Sequence, residues 1–228
     1  MEPKNQDVTP VLPLQALHPE QGATPQPPSP SPLAPPVTKK KHSGLRGFLS
    51  TFILIGGALL FAIFINQFIF QSYEVDGSSM EPSLQHKDRL IIWKLPRTWA
   101  RITKNDYSPA RGDVVVFNKP DGSEEQLIKR VIGLPGDRVV VSDGTITVFN
   151  KSDPDGFQPD DAPYGKNLPE TAGNVDVSVG EGEIFVSGDN RIPGASLDSR
   201  SSLGNIDLGL VVGKLVLRLF PFQSFETF

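Results

Sequence analysis

Residues 126–132 read QLIKRVI. The run is short, rich in branched aliphatic residues, and bounded by polar GSEE before it and GLPGD after it, which predicts a β-strand. Successive side chains on a strand point to opposite faces. Lys129 therefore shares a face with Leu127 and Val131, and Arg130 shares the other with Ile128 and Ile132. Whichever face is the core, one cation is pushed among apolar side chains. At a sheet edge both cations would snorkel to water. In an interior strand a lysine would be desolvated, and desolvation disfavours the ammonium, leaving an amine able to accept a proton near neutral pH.

The same grammar repeats on either side. Stretches 89–94 (RLIIWK), 113–118 (DVVVFN), 138–141 (RVVV), 145–149 (TITVF), 183–186 (EIFV) and 210–219 (LVVGKLVLRL) are β-branched and separated by Gly, Pro or Asp. SDG at 142–144 is suited to a hairpin turn. The expected fold class is mainly β, an antiparallel sheet or barrel-like catalytic domain built from residues 71–149 and 183–228. Residues 150–182 are polar and rich in Pro and Gly; they read as a loop-rich excursion or small subdomain. No internal repeat is visible.

Upstream lies a different kind of segment. From 47 to 65 there is no charge and nothing more polar than Ser50 and Thr51. As a helix this length spans roughly 30 Å, the hydrocarbon thickness of a bilayer. A cleaved secretory signal has a shorter apolar core, about 7–15 residues, and a small-x-small cleavage site; QFIFQSYEV offers none. The expectation is an uncleaved transmembrane helix over 46–70. Lys39, Lys40, Lys41 and Arg46 precede it, whereas Glu74 and Asp76 follow. The positive-inside rule then leaves residues 1–45 cytoplasmic and the β-domain on the far side. Residues 1–38 contain eleven of the 22 prolines and no hydrophobic periodicity, so they read as a disordered arm. No transit-type leader is evident, which favours a bacterial membrane, plasma or thylakoid.

Composition excludes several chemistries. The chain of 228 residues carries a net charge of −4, no cysteine and three histidines. Mild acidity argues against nucleic acid as a partner. Without cysteine there is no disulfide, zinc-thiolate site or thiol nucleophile. His18, His42 and His86 are too few and too scattered for a multi-histidine metal site. No metal or cofactor is implied.

A neutral lysine needs a hydroxyl to act on. Residues 77–84, GSSMEPSL, place two serines just beyond the apolar run. Ser78 and Glu81 also have capping-box spacing, so a polar turn or helix start competes with a nucleophile there. A third polar stretch, GDNRIPGASLDSRSSLG at 188–204, follows the apolar strand 183–186; its mixed charges suit either a solvated loop or a buried network.

Taken together, SSMEPSL, RGDVVVF, KRVIGLPGD and GDNR…SLDSR…G, in that order after one apolar span, resemble the type I signal peptidases, membrane-anchored serine proteases that use a Ser–Lys dyad. The resemblance covers about residues 45–219. It implies Ser79 as nucleophile, Lys129 as general base, and acyl-enzyme removal of signal peptides from exported preproteins beside membrane lipid. It implies Ser196 as the hydroxyl that orients the amine, Asp198 as its support with Arg200, and Arg130 and Asp189 as structural partners. Four residues separate GDNR from Ser196, where the family usually has two, which leaves Ser199 as an alternative. Some family members carry an oxyanion-hole hydroxyl two residues before the nucleophile; here that position is Gly77, so the backbone of Ser79 with Gly77 or Ser78 would serve. Met80 and Leu84 are candidates for the substrate pocket. A related Ser–Lys peptidase with a narrow substrate, and a non-catalytic anchored β scaffold, are the competing readings.

Overall fold

The computed structural model describes residues 44–105, 107–221 and 226–227. The proline-rich arm, its lysine cluster, His18 and His42 lie outside the described residues.

The first element, α1, is a helix over Gly44–Phe68. Its stretch Gly47–Phe68 has a mean hydropathy of 2.5 and no part of it is buried. A helix apolar all round and packed against nothing belongs in an apolar medium. One residue, Ile69, separates it from strand β1, Phe70–Glu74. Phe70, expected as the fringe of the span, is therefore the first residue of the sheet.

The β-domain contains β2 (Arg89–Trp93), β3 (Val114–Asn118), β4 (Gln126–Gly133), β5 (Arg138–Ser142), β6 (Thr145–Phe149), β7 (Val175–Ser178), β8 (Glu183–Ser187), β9 (Ile206–Asp207), β10 (Val211–Phe220) and β11 (Glu226–Thr227), with a short helix α2 (Leu95–Thr103) between β2 and β3. The larger sheet runs β1-β2-β10-β3-β4-β8-β9, with β11 on β10. Every strand pair is antiparallel. This is the mainly antiparallel β fold expected, and among the described residues the sheet does not close into a barrel. Its edges are β1 and β9; β9 is two residues long and pairs only with β8, and closure would require the edges to meet.

A second sheet, β6-β5-β7, is built from the SDG hairpin plus a strand from the Pro/Gly-rich excursion. The excursion also forms two 3₁₀ turns, Pro159–Asp161 and Pro163–Asn167.

Strand alternation sorts the core. Val114 and Val116 pack with Val75, Met80, Leu84, Leu90, Ile92 and Leu215. Val115 and Phe117 face the other way, toward Val131, Ile184, Val186, Ile206 and Val211. A third cluster joins Ile132 and Phe185 of the large sheet to Val139, Val141, Ile146 and Val148 of the small one. QLIKRVI is β4, an interior strand paired with β3 and β8. Its cations cannot escape to an edge: Lys129 is 2% exposed and Arg130 4%.

Candidate active site

GSSMEPSL forms turns, not a helix start. The Glu81 N–H donates to Ser78 O at 3.1 Å and the Leu84 N–H to Met80 O at 2.9 Å. Gly77 has φ +100°, a conformation that glycine adopts without a Cβ penalty. The turns bury Met80 and Leu84, the two pocket candidates of the sequence, in a core cluster with Val75, Leu90 and Val116. Ser78 is exposed and Ser79 half-buried.

Ser79 Oγ lies 2.7 Å from Lys129 Nζ, and the same nitrogen donates to Ile128 O at 2.8 Å. Burial pushes the Lys129 amine down from its ordinary 10.5 to about 8, against the opposing pull of Asp198 and Asp189. Beside the pair is a cavity of about 230 Å³. Tyr73, Val75, Leu90, Val116, Leu127 and Ile128 form one part of its wall, and Glu74, Asp76, Glu125 and Gln126 form a polar part. A larger cavity, about 760 Å³ and lined by Arg111, Arg130, Tyr164 and Arg218, includes neither Ser79 nor Lys129.

The 188–204 stretch clamps the nucleophile's backbone. The Asn190 N–H donates to Ser79 O at 3.0 Å, and Asn190 Nδ2 to Ser78 O at 3.1 Å. Gly188 is what permits this approach: a Cβ there would sit 2.4 Å from Ser79 O and 2.2 Å from Ser196 Oγ. Asp198 accepts from the Gly188 N–H at 2.9 Å and from Arg200 Nη2 at 2.7 Å. Burial alone would raise the Asp198 carboxyl, yet the Arg200 guanidinium and the Gly188 N–H hold it below its ordinary range. Ser196 Oγ is buried and makes no bond to Lys129; it lies toward the Asp198 carboxylate and adds to the lowering of that carboxyl. The alternative, Ser199, is tied to strand β8: its Oγ accepts from the Val186 N–H at 2.9 Å.

For the oxyanion, the sequence leaves two backbone pairs open, Ser79 with Gly77 or Ser79 with Ser78. The Gly77 N–H donates to His86 Nδ1 at 3.2 Å and so is already engaged. Among the described residues, the N–H groups of Ser78 and Ser79 have no protein acceptor.

Arg130, on the opposite side of β4 from Lys129, forms a two-point pair with Asp189, Nε–Oδ1 at 2.8 Å and Nη2–Oδ2 at 2.5 Å. The Tyr164 ring lies 4.2 Å from the guanidinium carbon. Arg191, fully buried, bonds both carboxylate oxygens of Asp160, the Thr171 hydroxyl and Gly188 O. The excursion thus supplies Asp160, Tyr164 and Thr171 to the layer behind the site. Sequence reading missed these, along with Asn190, Gly188 and Tyr73. GDNR was visible as a motif, but its partners are about 20–30 residues away in a segment without strand or helix periodicity. Arg130→Met is expected to destabilise the fold by about 3–5 kcal/mol, because it strands a buried Asp189 carboxylate. Thermal melts of the full chain in detergent, against the parent, check this.

A serine hydroxyl facing a buried lysine amine on an antiparallel β scaffold is the arrangement of the Ser–Lys class of serine hydrolases. Residues 48–220 match the family described as signal peptidase, peptidase S26. Signal peptidase I of Bacillus licheniformis is 34% identical over 191 residues, covering 82% of this chain and 94% of that protein. Signal peptidase I T of Bacillus subtilis (strain 168) is 34% identical over 169 residues, covering 73% and 82%. A crystal structure of a signal peptidase I from Enterococcus faecalis V583 is 28% identical, covers 48% of this chain and 98% of that one, and has a TM-score of 0.38. The chain belongs to the S26 signal peptidase family and is a serine-type peptidase that removes signal peptides; the apolar helix α1 fits the family's membrane anchor.

Proposed function

We propose that Ser79 is the nucleophile and Lys129 the general base of an acyl-transfer mechanism at a membrane surface. The observation that carries this reading is the 2.7 Å approach of Lys129 Nζ to Ser79 Oγ within a buried setting. In its neutral form the amine donates to Ile128 O and presents its lone pair to the Ser79 proton. Ser79 Oγ attacks the scissile carbonyl as Lys129 takes that proton. The N–H groups of Ser78 and Ser79 receive the developing oxyanion. The ammonium returns its proton to the leaving amine, and Lys129 then activates the water that hydrolyses the ester. Asn190, Gly188, Asp198 and Arg200 hold the two halves of the dyad in register. Bound substrate would cover the cleft, dry the amine further and favour its neutral form.

The cleft of about 230 Å³, walled in part by Val75, Leu90, Val116 and Ile128, suits small side chains at the −1 and −3 substrate positions. The substrates are signal-bearing preproteins, and membrane lipid surrounds α1. The basic cluster before α1 supports an orientation with residues 1–45 on the cytoplasmic side and the β-domain across the membrane. A penem or related β-lactam acylator tests the active-site assignment: mass mapping should find one adduct, on Ser79. An adduct on Ser78 or Ser196, or none, would overturn the assignment.

A further inference from the structure

Helix α2 is packed the reverse way round from a helix on a water-soluble surface. Leu95, Trp99 and Ile102 recur at helical spacing on one face, and they are 37%, 62% and 69% exposed. The opposite face turns inward. It buries Ala100, and Arg97 donates to Val211 O at 3.0 Å and Gly209 O at 2.7 Å. A cation is thus spent on the protein side while a tryptophan and an isoleucine point away from it. In water that arrangement forfeits apolar burial.

Two observations identify the medium that reverses the cost. First, α2 is joined to the end of α1: the Lys94 N–H donates to Ile69 O at 2.8 Å, and Thr98 Oγ1 to Phe68 O at 3.3 Å. Its exposed face therefore begins where the apolar span ends. Second, the cations of this segment that the described residues do not engage, Arg101 and Lys104, are exposed beside that face, and residues 94–105 hold no acid, a charge suited to anionic headgroups. We infer that α2 is an in-plane interfacial helix whose Leu95, Trp99 and Ile102 insert into the headgroup–acyl boundary of the bilayer that α1 crosses, seating the active site on the lipid. The inference rests on the reading of α1 as a membrane span.

The chain has two tryptophans, Trp93 and Trp99, so Trp93→Phe leaves one reporter on this face. The full-length variant is reconstituted into vesicles of phosphatidylcholine and phosphatidylglycerol. Trp99 emission should shift to the blue, be quenched by acyl-brominated lipid and resist aqueous acrylamide. Water-like emission open to acrylamide overturns the inference. So does shielding from acrylamide without bromine quenching, which would assign the face to a protein partner or a second copy. Alkaline extraction reads α1 separately: release of the chain defeats the span and this inference together, whereas retention without bromine quenching defeats this inference alone. Trp99→Ser with Ile102→Ser should cut processing of a vesicle-embedded preprotein roughly tenfold, as loss of two inserted apolar side chains implies. Cleavage of a short soluble peptide should stay at the parent rate; equal loss on both substrates, or on neither, contradicts a seating role.

Discussion

Ser79→Ala is expected to lower turnover of a signal-bearing preprotein by about 10⁴–10⁶-fold, the range seen when a serine nucleophile is deleted from a unit that acts together. The size of the effect follows from isolation. Among the described residues Ser79 is the only hydroxyl bonded to Lys129. Ser78 is next in the chain but exposed, and a neighbouring serine cannot reach the amine without unwinding a turn fastened at Ser79 O by Asn190 and at Met80 O by Leu84. The substitution removes one oxygen and leaves that backbone intact, so the circular dichroism spectrum and preprotein binding should persist. Ser78→Ala is the control and should keep most of the activity, since it changes no amide. Near-parent rates for Ser79→Ala would end the case for a covalent intermediate on this turn.

The second large effect belongs to Lys129. Lys129→Arg keeps a positive charge and hydrogen-bonding capacity but cannot lose a proton at any working pH; turnover should fall about 10³-fold, the middle of the 10²–10⁴ range that general-base catalysis contributes. In the parent, kcat/KM reports the free enzyme's ionisation, so it should rise with pH through about 8, where the amine becomes neutral. A flat profile from 6 to 9 in single-turnover assays would remove lysine from the base role. Stability carries the same signature. The folded value, about 8, lies below the ordinary 10.5, so between these pH values the unfolded chain holds a proton that the folded chain has shed. Stability therefore rises with pH across that window and is flat below and above it. At pH 7 the full penalty is present, about 3 kcal/mol for a drop of that size. Lys129→Met removes it, and the inactive variant should melt higher than the parent at pH 7, with the gap narrowing toward pH 10.5.

Much of this architecture was legible because strand grammar is local. β2, β3, β4, β6 and β10 fall where branched aliphatic runs sit between Gly, Pro and Asp, each within a residue or so of its expected limits. The lysine–arginine pair was legible as a conflict: two cations on adjacent positions of an apolar strand, resolved by an interior position and separate partners on either side. What local pattern did not reveal depends on contacts distant in sequence. β1 was hidden inside the tail of the apolar span. α2 is nine residues long, too short for a periodicity signal, and its apolar face turns outward. β7 and the Asp160, Tyr164 and Thr171 contacts lie in a stretch whose composition says only loop. Met80 and Leu84 neighbour Ser79 in sequence, but their packing against Val75, Leu90 and Val116 depends on turns that local pattern does not specify. Gly77 looked like an oxyanion donor until His86, nine positions on, engaged its amide.

With a single residue, Ile69, between α1 and β1, no swivel separates the rod in the lipid from the plate that carries Ser79. Any lean of the rod is passed to the plate, and the vertical offset of the reactive oxygen from the end of the greasy segment is fixed by covalent geometry plus a few strand residues. Under the proposed topology, a scissile bond presented at the wrong depth would miss the blade, however well its sequence suits the groove.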